Sequence, residues 1–570
     1  MKLVGLDVCG NLLAVSLVEK HAQLQLWPQT PLKSGWRKYE IISVNYLNSP
    51  VFVPTSQSLT QPNDIQPLPM QTGHVRIEEL RMACKATARN KAAGPDGIPS
   101  DVARIISVSR LLLPTMNAIL DGRDPPDEWR QSTIVAIPKK GNSTLLSNQR
   151  GLSLMSVNAK LFNRILLSRL RNSLNEVLLG LQAGFRPNRC TVEQIISLRI
   201  AIDACRARKR NLCIVFADFS KAYDCVSRRV LEKILSFYKV PDSIIRAIMS
   251  LYTNTKARVR TSNGITREFP TTSGVLQGDT LAPYLFVIVM DYIMRMSLTD
   301  EDAYTVKCRM SRREPAVKLP ALAYADDAAL MSDSAEAAER QLHRFETISA
   351  SVGLRLNAMK TEVMHVGDHA RPTIHTINGA ALAECEDFCY LGIHVANNIS
   401  AFKTRRKLAW VAARRLSLVW ESTASDDAKV SLFRACVESV LLYGGEALTI
   451  TDTLAKVVDG AHRALLRYAL GYRYPAVISN SALYKQAKAV AASKILQRRR
   501  LALYGHVLRR PDLPMAKCLK YAATEPFRRG GHLRHTYQAQ VEGDLATIGL
   551  TTNTASAVAV SRQTWRKIVK

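Results

Sequence analysis

The feature that most constrains this 570-residue chain is a set of carboxylates placed on apolar strands. Leu212-Cys213-Ile214-Val215-Phe216-Ala217 runs directly into Asp218, and Ser220-Lys221-Ala222-Tyr223-Asp224 follows soon after. Further on, the stretch Leu319 to Met331 reads as two short apolar strands with Asp326-Asp327 at the turn between them. Two adjacent like charges beside apolar strands are costly to bury unless a cation neutralises them. Hard divalent ions take oxygen ligands, and Mg²⁺ is held by one or two carboxylates together with substrate phosphates. Phosphoryl transfer on two metal ions draws such carboxylates from neighbouring strands. Asp-Asp alone would pass for a solvated turn, because Asp favours turns. The flanking strands and the second acidic strand end count against that reading.

These acids sit in a basic chain: 78 Lys and Arg against 48 Asp and Glu give a net charge of +30. Such an excess attracts polyanions, since each neutralised phosphate releases counterions, and nucleic-acid contact is favoured over a merely solubilising surface. An apolar fraction of 47% excludes a wholly disordered chain, and the length calls for more than one core. The cysteines number eleven, an odd count without a disulfide framework, which points to free thiols in a reducing, intracellular setting and to no disulfide-linked partner. The strongest apolar run, Leu281–Met290, is broken by Asp291, well short of the roughly 20 residues a membrane span needs. Asp7 and Asn11 argue against a secretory signal in Leu3–Val18.

Pro50 to Gly73 is rich in Pro, Gln, Ser and Thr without a period, and reads as a linker. Helical spacing over Val75–Ala88 gives way to the turn Gly94-Pro95-Asp96-Gly97, and helical and strand-like runs then alternate to about Gly392. Beyond Asn397 strand signals fade, and Lys403–Trp420 and Ala428–Tyr443 have helical spacing. Basic residues dominate from Lys494 to Arg534, where Asp512 and Glu525 are the chief acids.

Three segments, Phe216-Ala-Asp218-Phe-Ser-Lys-Ala-Tyr223-Asp224, Ser273-Gly274-Val-Leu-Gln277-Gly278-Asp-Thr-Leu-Ala-Pro283 and Tyr324-Ala-Asp326-Asp327, occur in the order and spacing of reverse transcriptases. The chain resembles most those of LINE-type retrotransposons, which lack long terminal repeats. Lys91-Ala-Ala-Gly94-Pro95-Asp96-Gly97-Ile98, Asn148-Gln-Arg150-Gly151-Leu-Ser153-Leu and Gln182-Ala-Gly184-Phe185-Arg186 are similar to their upstream and fingers elements. Gly353-Leu354 through Asn357, Lys360 and Thr361 resembles the fourth palm motif, and Tyr390-Leu391-Gly392 the primer grip. Tyr504-Gly505-His506-Val507-Leu508-Arg509-Arg510-Pro511-Asp512 is similar to a tail element.

The resemblance implies an α+β right-hand polymerase fold, with fingers and an antiparallel-sheet palm over 75–395, a helical thumb over 396–510 and a basic tail region over 511–570. Residues 1–74 are left as an uncertain N-terminal segment and linker. It implies an RNA-directed DNA polymerase, a nucleotidyltransferase working in nucleus and cytoplasm on an RNA template, a DNA primer or target and deoxynucleoside triphosphates, with no membrane and an open oligomeric state. Asp218, Asp326 and Asp327 would be the catalytic carboxylates holding two Mg²⁺ ions, or Mn²⁺ in their place. Asp218 and Asp326 would bind both ions, since the second carboxylate of such a pair, here Asp327, often points away.

Tyr223 would be the aromatic gate that refuses a 2′-hydroxyl, and Arg150 would grip the triphosphate through bidentate hydrogen bonds. Gln277 and Gly278 would line the nucleotide, Lys360 would donate a proton to pyrophosphate, and Tyr390, Leu391 and Gly392 would pack against the primer. Asp224 reads equally as a helix N-cap. The sequence shows no room for the usual upstream nuclease before the polymerase motifs, no zinc-knuckle spacing and no apparent ribonuclease H carboxylate set, so a 5′-truncated or rearranged element copy is expected. Two other readings stay open: a silent relic that only binds RNA, and an RNA-directed RNA polymerase, against which Tyr223 speaks.

Overall fold

The structure is a computed structural model that describes residues 66–138, 149–261, 264–307, 316–367, 371–522, 527–529 and 532–570. The N-terminal segment and most of the expected linker lie outside the described residues.

Two five-stranded sheets are built in alternation along the chain. β1 (Gln131–Pro138) and β2 (Gln149–Met155) pair antiparallel, β3 (Leu212–Ala217) opens the second sheet, and β4 (Lys256–Thr261) returns to the first. There β4 pairs parallel with β1, so this first sheet is mixed. β5 (Ala321–Tyr324), β6 (Asp327–Ser332), β7 (Glu362–Val366) and the two-residue β8 (Ala383–Glu384) complete the second sheet in the order β8-β7-β3-β6-β5. Its ladders are antiparallel apart from the short β7–β8 pair. A hairpin of β9 (Cys389–Tyr390) and β10 (Ile393–His394) follows.

The second sheet is a wall between two cores. Along β3, Cys213, Val215 and Ala217 belong to one hydrophobic cluster, while Leu212, Ile214 and Phe216 belong to another. β6 divides the same way, with Ala328 and Leu330 on one side and Ala329 and Met331 on the other. Alternate strand side chains point to opposite faces, so a strand buried on both faces must be apolar throughout, as Leu212–Ala217 is.

Of the longer helices, α1 (Ile77–Ala86) and α2 (Val157–Val177) pack on the first face, and α3 (Thr191–Ala207) covers the other. α4 (Arg228–Phe237), α5 (Ala282–Ser297) and α6 (Ala335–Ser351) complete the first layer. The apolar run that precedes Asp291 is the core of α5. Asp291 itself is fully buried, accepting hydrogen bonds from Leu179 N at 2.7 Å and from the Tyr238 hydroxyl at 2.5 Å. Among the described residues, no helix is long and apolar enough to cross a membrane.

From α7 (Asn398–Arg415) onward the described chain is helical except for the hairpin Phe527–Arg529/His532–Arg534. α7 starts at a side-chain cap, Asn397, and stops before the expected Trp420; a separate turn, Ser417–Glu421, carries that residue. The second expected helix is likewise segmented, its middle widened into a π-turn over Arg434–Glu438. α8 (Asp452–Ala469), α9 (Ala492–Leu508), α10 (Tyr537–Ala546) and α11 (Arg562–Val569) share the second core with α3 and the sheet.

Part of the basic run is spent inside this layer. The Arg500 guanidinium is buried, its Nε donating to Asp544 at 2.5 Å, and Arg510 pairs with Asp512. Cys518 is buried and burial pushes its thiol up to about 12. All described cysteines are free thiols.

Candidate active site

Ladder register brings the acids together. Ala217 on β3 faces Ala328 on β6, so the next positions outward, Asp218 and Asp327, stand opposite each other at the mouth of the sheet. Facing residues on neighbouring strands have Cβ atoms roughly 4.5–5.5 Å apart. Asp327 also pairs with Tyr324 across a two-residue turn, Ala325-Asp326, in which Ala325 takes a left-handed φ of 55°.

The carboxylates feel one another. Burial pushes Asp327 up to about 6, with repulsion from Asp326 and then Asp218 adding to it. Asp326 is raised as well, first by burial and further by Asp218. Both shifts come first from burial and then from mutual repulsion, and a bound cation would oppose both. As the side chains stand, no set of three His, Cys, Asp or Glu among the described residues closes around one ion. The all-oxygen donor set, half-shielded and mutually repelling, nevertheless fits hard divalent ions, and use of such ions is general in the family these residues resemble.

Asp218 is bracketed from below by the turn Asn357–Thr361. Its backbone N donates to Thr361 Oγ1 at 3.2 Å, and its carbonyl accepts from Asn357 N at 2.8 Å. That turn carries Lys360, whose Nζ lies 3.8 Å from Asp218 Oδ2. Tyr223 stacks on Phe286 with centroids 4.5 Å apart, and burial, with Asp326 next, pushes its hydroxyl above the usual range. Arg150 is exposed on β2, opposite Ile137, and its charge reaches Asp326 and Tyr223.

The loop 273–279 is stitched to the same site. Val275 N donates to Tyr223 O at 2.8 Å, and Ser153 N donates to Gln277 O at 2.6 Å. A Cβ on Gly278, at φ +113°, would lie 2.5 Å from Ser153 O; one on Gly274 would lie 2.6 Å from Asp224 O. The close approach these glycines permit is therefore to the chain's own backbone. Arg228, buried, gathers the loop by donating to the carbonyls of Gly274, Thr271 and Ser273. Asp224 is not an N-cap: it lies inside the short helix Ala222–Cys225, and Ser227 caps the helix that follows. Its Oδ1 faces Gln277 Nε2 at 3.5 Å.

Tyr390-Leu391-Gly392 is the tip of the β9–β10 hairpin, away from the carboxylate turn in sequence but on the same sheet wall. Leu391 and Gly392 both have positive φ, 47° and 81°. Tyr390 is buried, its ring 5.9 Å from Phe216 and its hydroxyl donating to Leu322 O, so this side chain is core rather than surface. Arg405 of α7 donates to Gly392 O and lies over the Tyr443 ring.

Two contributors were missed by reading residues alone. Asp279 is buried and accepts from Asn163 Nδ2 at 2.9 Å, fixing the loop against α2. Gln182 is fully buried against the turn that bears Asp326. Both lie in motif segments, but only the contacts reveal their partners.

The sequence is similar to that of known proteins. Residues 137–395 match the family model described as reverse transcriptase (RNA-dependent DNA polymerase). The chain is 28% identical over 344 residues to a retrovirus-related Pol polyprotein from the type-1 retrotransposable element R2 of Nasonia vitripennis, covering 58% of this chain and 32% of that protein. It is 28% identical to the R2DM polyprotein of Drosophila melanogaster over 50% of this chain and 26% of that one. A probable RNA-directed DNA polymerase from transposon BS of the same fly is 26% identical, over 65% of this chain and 42% of that protein. The matched region thus spans about a quarter to two fifths of these relatives. Residues 137–395 thus match a reverse transcriptase domain, and the chain is similar to the reverse transcriptases of retrotransposons without long terminal repeats.

Proposed function

We propose that the chain is an RNA-directed DNA polymerase that extends a primer 3′-hydroxyl with deoxynucleotides copied from RNA. The supporting observation is the strand register that sets Asp218 opposite Asp327 with Asp326 at the adjoining turn. In this reading the second sheet is the palm and the first the fingers within 75–395, the helices over 396–510 are the thumb, and 511–570 is a basic tail. Asp218 and Asp326, with Asp327 beside them, would hold two Mg²⁺ ions, which when bound lower the pKa of the primer hydroxyl and neutralise the triphosphate.

The chain's own groups do the rest. Arg150, exposed on β2 with its charge reaching Asp326, takes the triphosphate in a planar two-point grip. Tyr223, stiffened by Phe286, closes the space a 2′-hydroxyl would need. Gln277 and Gly278 hold the loop that floors the nucleotide against β2. Lys360 screens Asp218 and supplies a proton to the departing pyrophosphate. The β9–β10 tip, tied to α7 by Arg405, offers its backbone to the primer.

The test is extension of a DNA primer on an RNA template by the whole chain, with deoxynucleotides and Mg²⁺. Extension that stops on chelation is expected. Tight, salt-sensitive RNA binding without extension would identify the silent relic instead.

A further inference from the structure

Gln182 lies in the segment Gln182-Ala183-Gly184, to which the polymerase reading assigns no task. That segment joins the edge of the second sheet: Ala183 N donates to Ala323 O at 2.9 Å, and Ala323 N to Leu181 O at 3.0 Å. The Gln182 side chain has no exposure at all and reaches the carboxylate turn. Its Oε1 accepts from both Ala325 N and Gly184 N at 2.8 Å, and its Nε2 donates to Ala325 O at 3.2 Å. Two N–H groups converging on one atom settle which end of the amide is oxygen. Both backbone polar groups of Ala325 are thus taken by one side chain.

Ala325 needs such a hold. Its φ of 55° is left-handed, where a Cβ is disfavoured, and such conformations persist only when the surroundings over-determine them. The approach is also as close as chemistry permits. A Cβ on Gly184 would lie 2.4 Å from Ala325 N, so Gly184 leaves room for the turn. Behind it, Arg186 is buried and donates to Leu179 O and Gln182 O at 2.5 and 3.0 Å, fixing the segment from the far side.

We infer that Gln182 is a positioning residue: its amide clamps Ala325 in the left-handed turn and thereby sets where the adjoining Asp326 carboxylate stands. This rests on the polymerase reading for its consequence on activity, but the clamp itself has a readout that needs no turnover. In the wild-type chain the Ala325 amide, although at the tip of a two-residue turn, should exchange with deuterium as slowly as the amides of β6. Fast exchange there would overturn the clamp whatever the enzyme does.

Gln182→Met keeps length and bulk but removes both kinds of hydrogen bond. It should raise the exchange rate of the turn at least tenfold and lower kcat for primer extension about 10- to 100-fold, while KM for nucleotide and affinity for RNA stay within about twofold. Adding Ala325→Gly, which removes the cost of the left-handed φ, should recover part of the lost kcat. A Gln182→Met variant with wild-type kcat and turn protection overturns the proposal. So does a loss that Ala325→Gly leaves untouched. A wild type that shows the slow exchange but never extends a primer would sink the polymerase reading and leave the clamp standing.

Discussion

The two sheets carry opposite charges and are packed in opposite ways. The second sheet, which bears Asp218, Asp326 and Asp327, is covered on both faces by two large cores. Among the described residues, the first sheet, which bears Arg150, builds a small apolar cluster from its own strands, Ala257, Val259 and Phe269, and much of β2 and β4 is open. In the proposed polymerase, the acids that would have to hold a fixed mutual spacing are thus mounted on the more fully packed sheet. The arginine proposed to grip the incoming triphosphate is mounted on the more accessible one. Close packing transmits error, so an acid misplaced by a fraction of an ångström has nowhere to relax, whereas an exposed arginine adapts.

The largest effect should come from the rigid side. Asp326→Asn removes charge while keeping shape, and primer extension should fall by at least about a thousandfold with RNA affinity changed less than twofold. Equal loss of both would dissolve the distinction between the sheets. Arg150→Ala should act more mildly, lowering kcat/KM for nucleotide about 10- to 100-fold and leaving RNA affinity largely intact. A smaller effect on Asp326→Asn than on Arg150→Ala would reverse the assignment of roles.

Packing can be compared with one substitution made twice. Val215→Ala on the double-covered strand should cost about 2–3 kcal/mol, and Val259→Ala over the small cluster about 1 kcal/mol, read from denaturant unfolding. Similar costs would show that the first sheet is held as firmly as the second.

The smallest expected effect is on pH. A carboxyl whose folded pKa lies above its unfolded one binds protons more tightly when folded. Stability from Asp327 is therefore greatest below about pH 4, declines as pH rises toward about 6, and is flat above; the raised Asp326 contributes with the same sign. A divalent ion must displace those protons. The Mg²⁺-induced rise in Tm should be slight near pH 5 and reach its full size by about pH 7, by a few degrees. A Tm shift independent of pH would place the ion elsewhere.

Charge counting fared worse than strand reading. The acids at Asp218 and Asp326-Asp327 were legible because a carboxylate on an apolar strand has few innocent explanations, and the strands formed where the apolar runs stood. The basic stretch from Lys494 was less legible. Arg500 reads as one more surface cation until Asp544, 44 residues later, is found buried against it. Arg510 likewise spends its charge on Asp512. Helix extent in the C-terminal layer was also misjudged, because the break at Leu416 and the π-turn after Phe433 answer to packing rather than to residue spacing.

Local chemistry was enough to settle which residues are acidic, which strands carry them and which loops are bound to turn, since these follow from side-chain period and backbone preference within a few residues. Only the folded chain decided which of those acids face each other, which glycines make room for neighbouring backbone, and that a buried amide holds the turn. Register and contact between distant segments arise from packing the whole sheet at once, and no window along the chain contains that information.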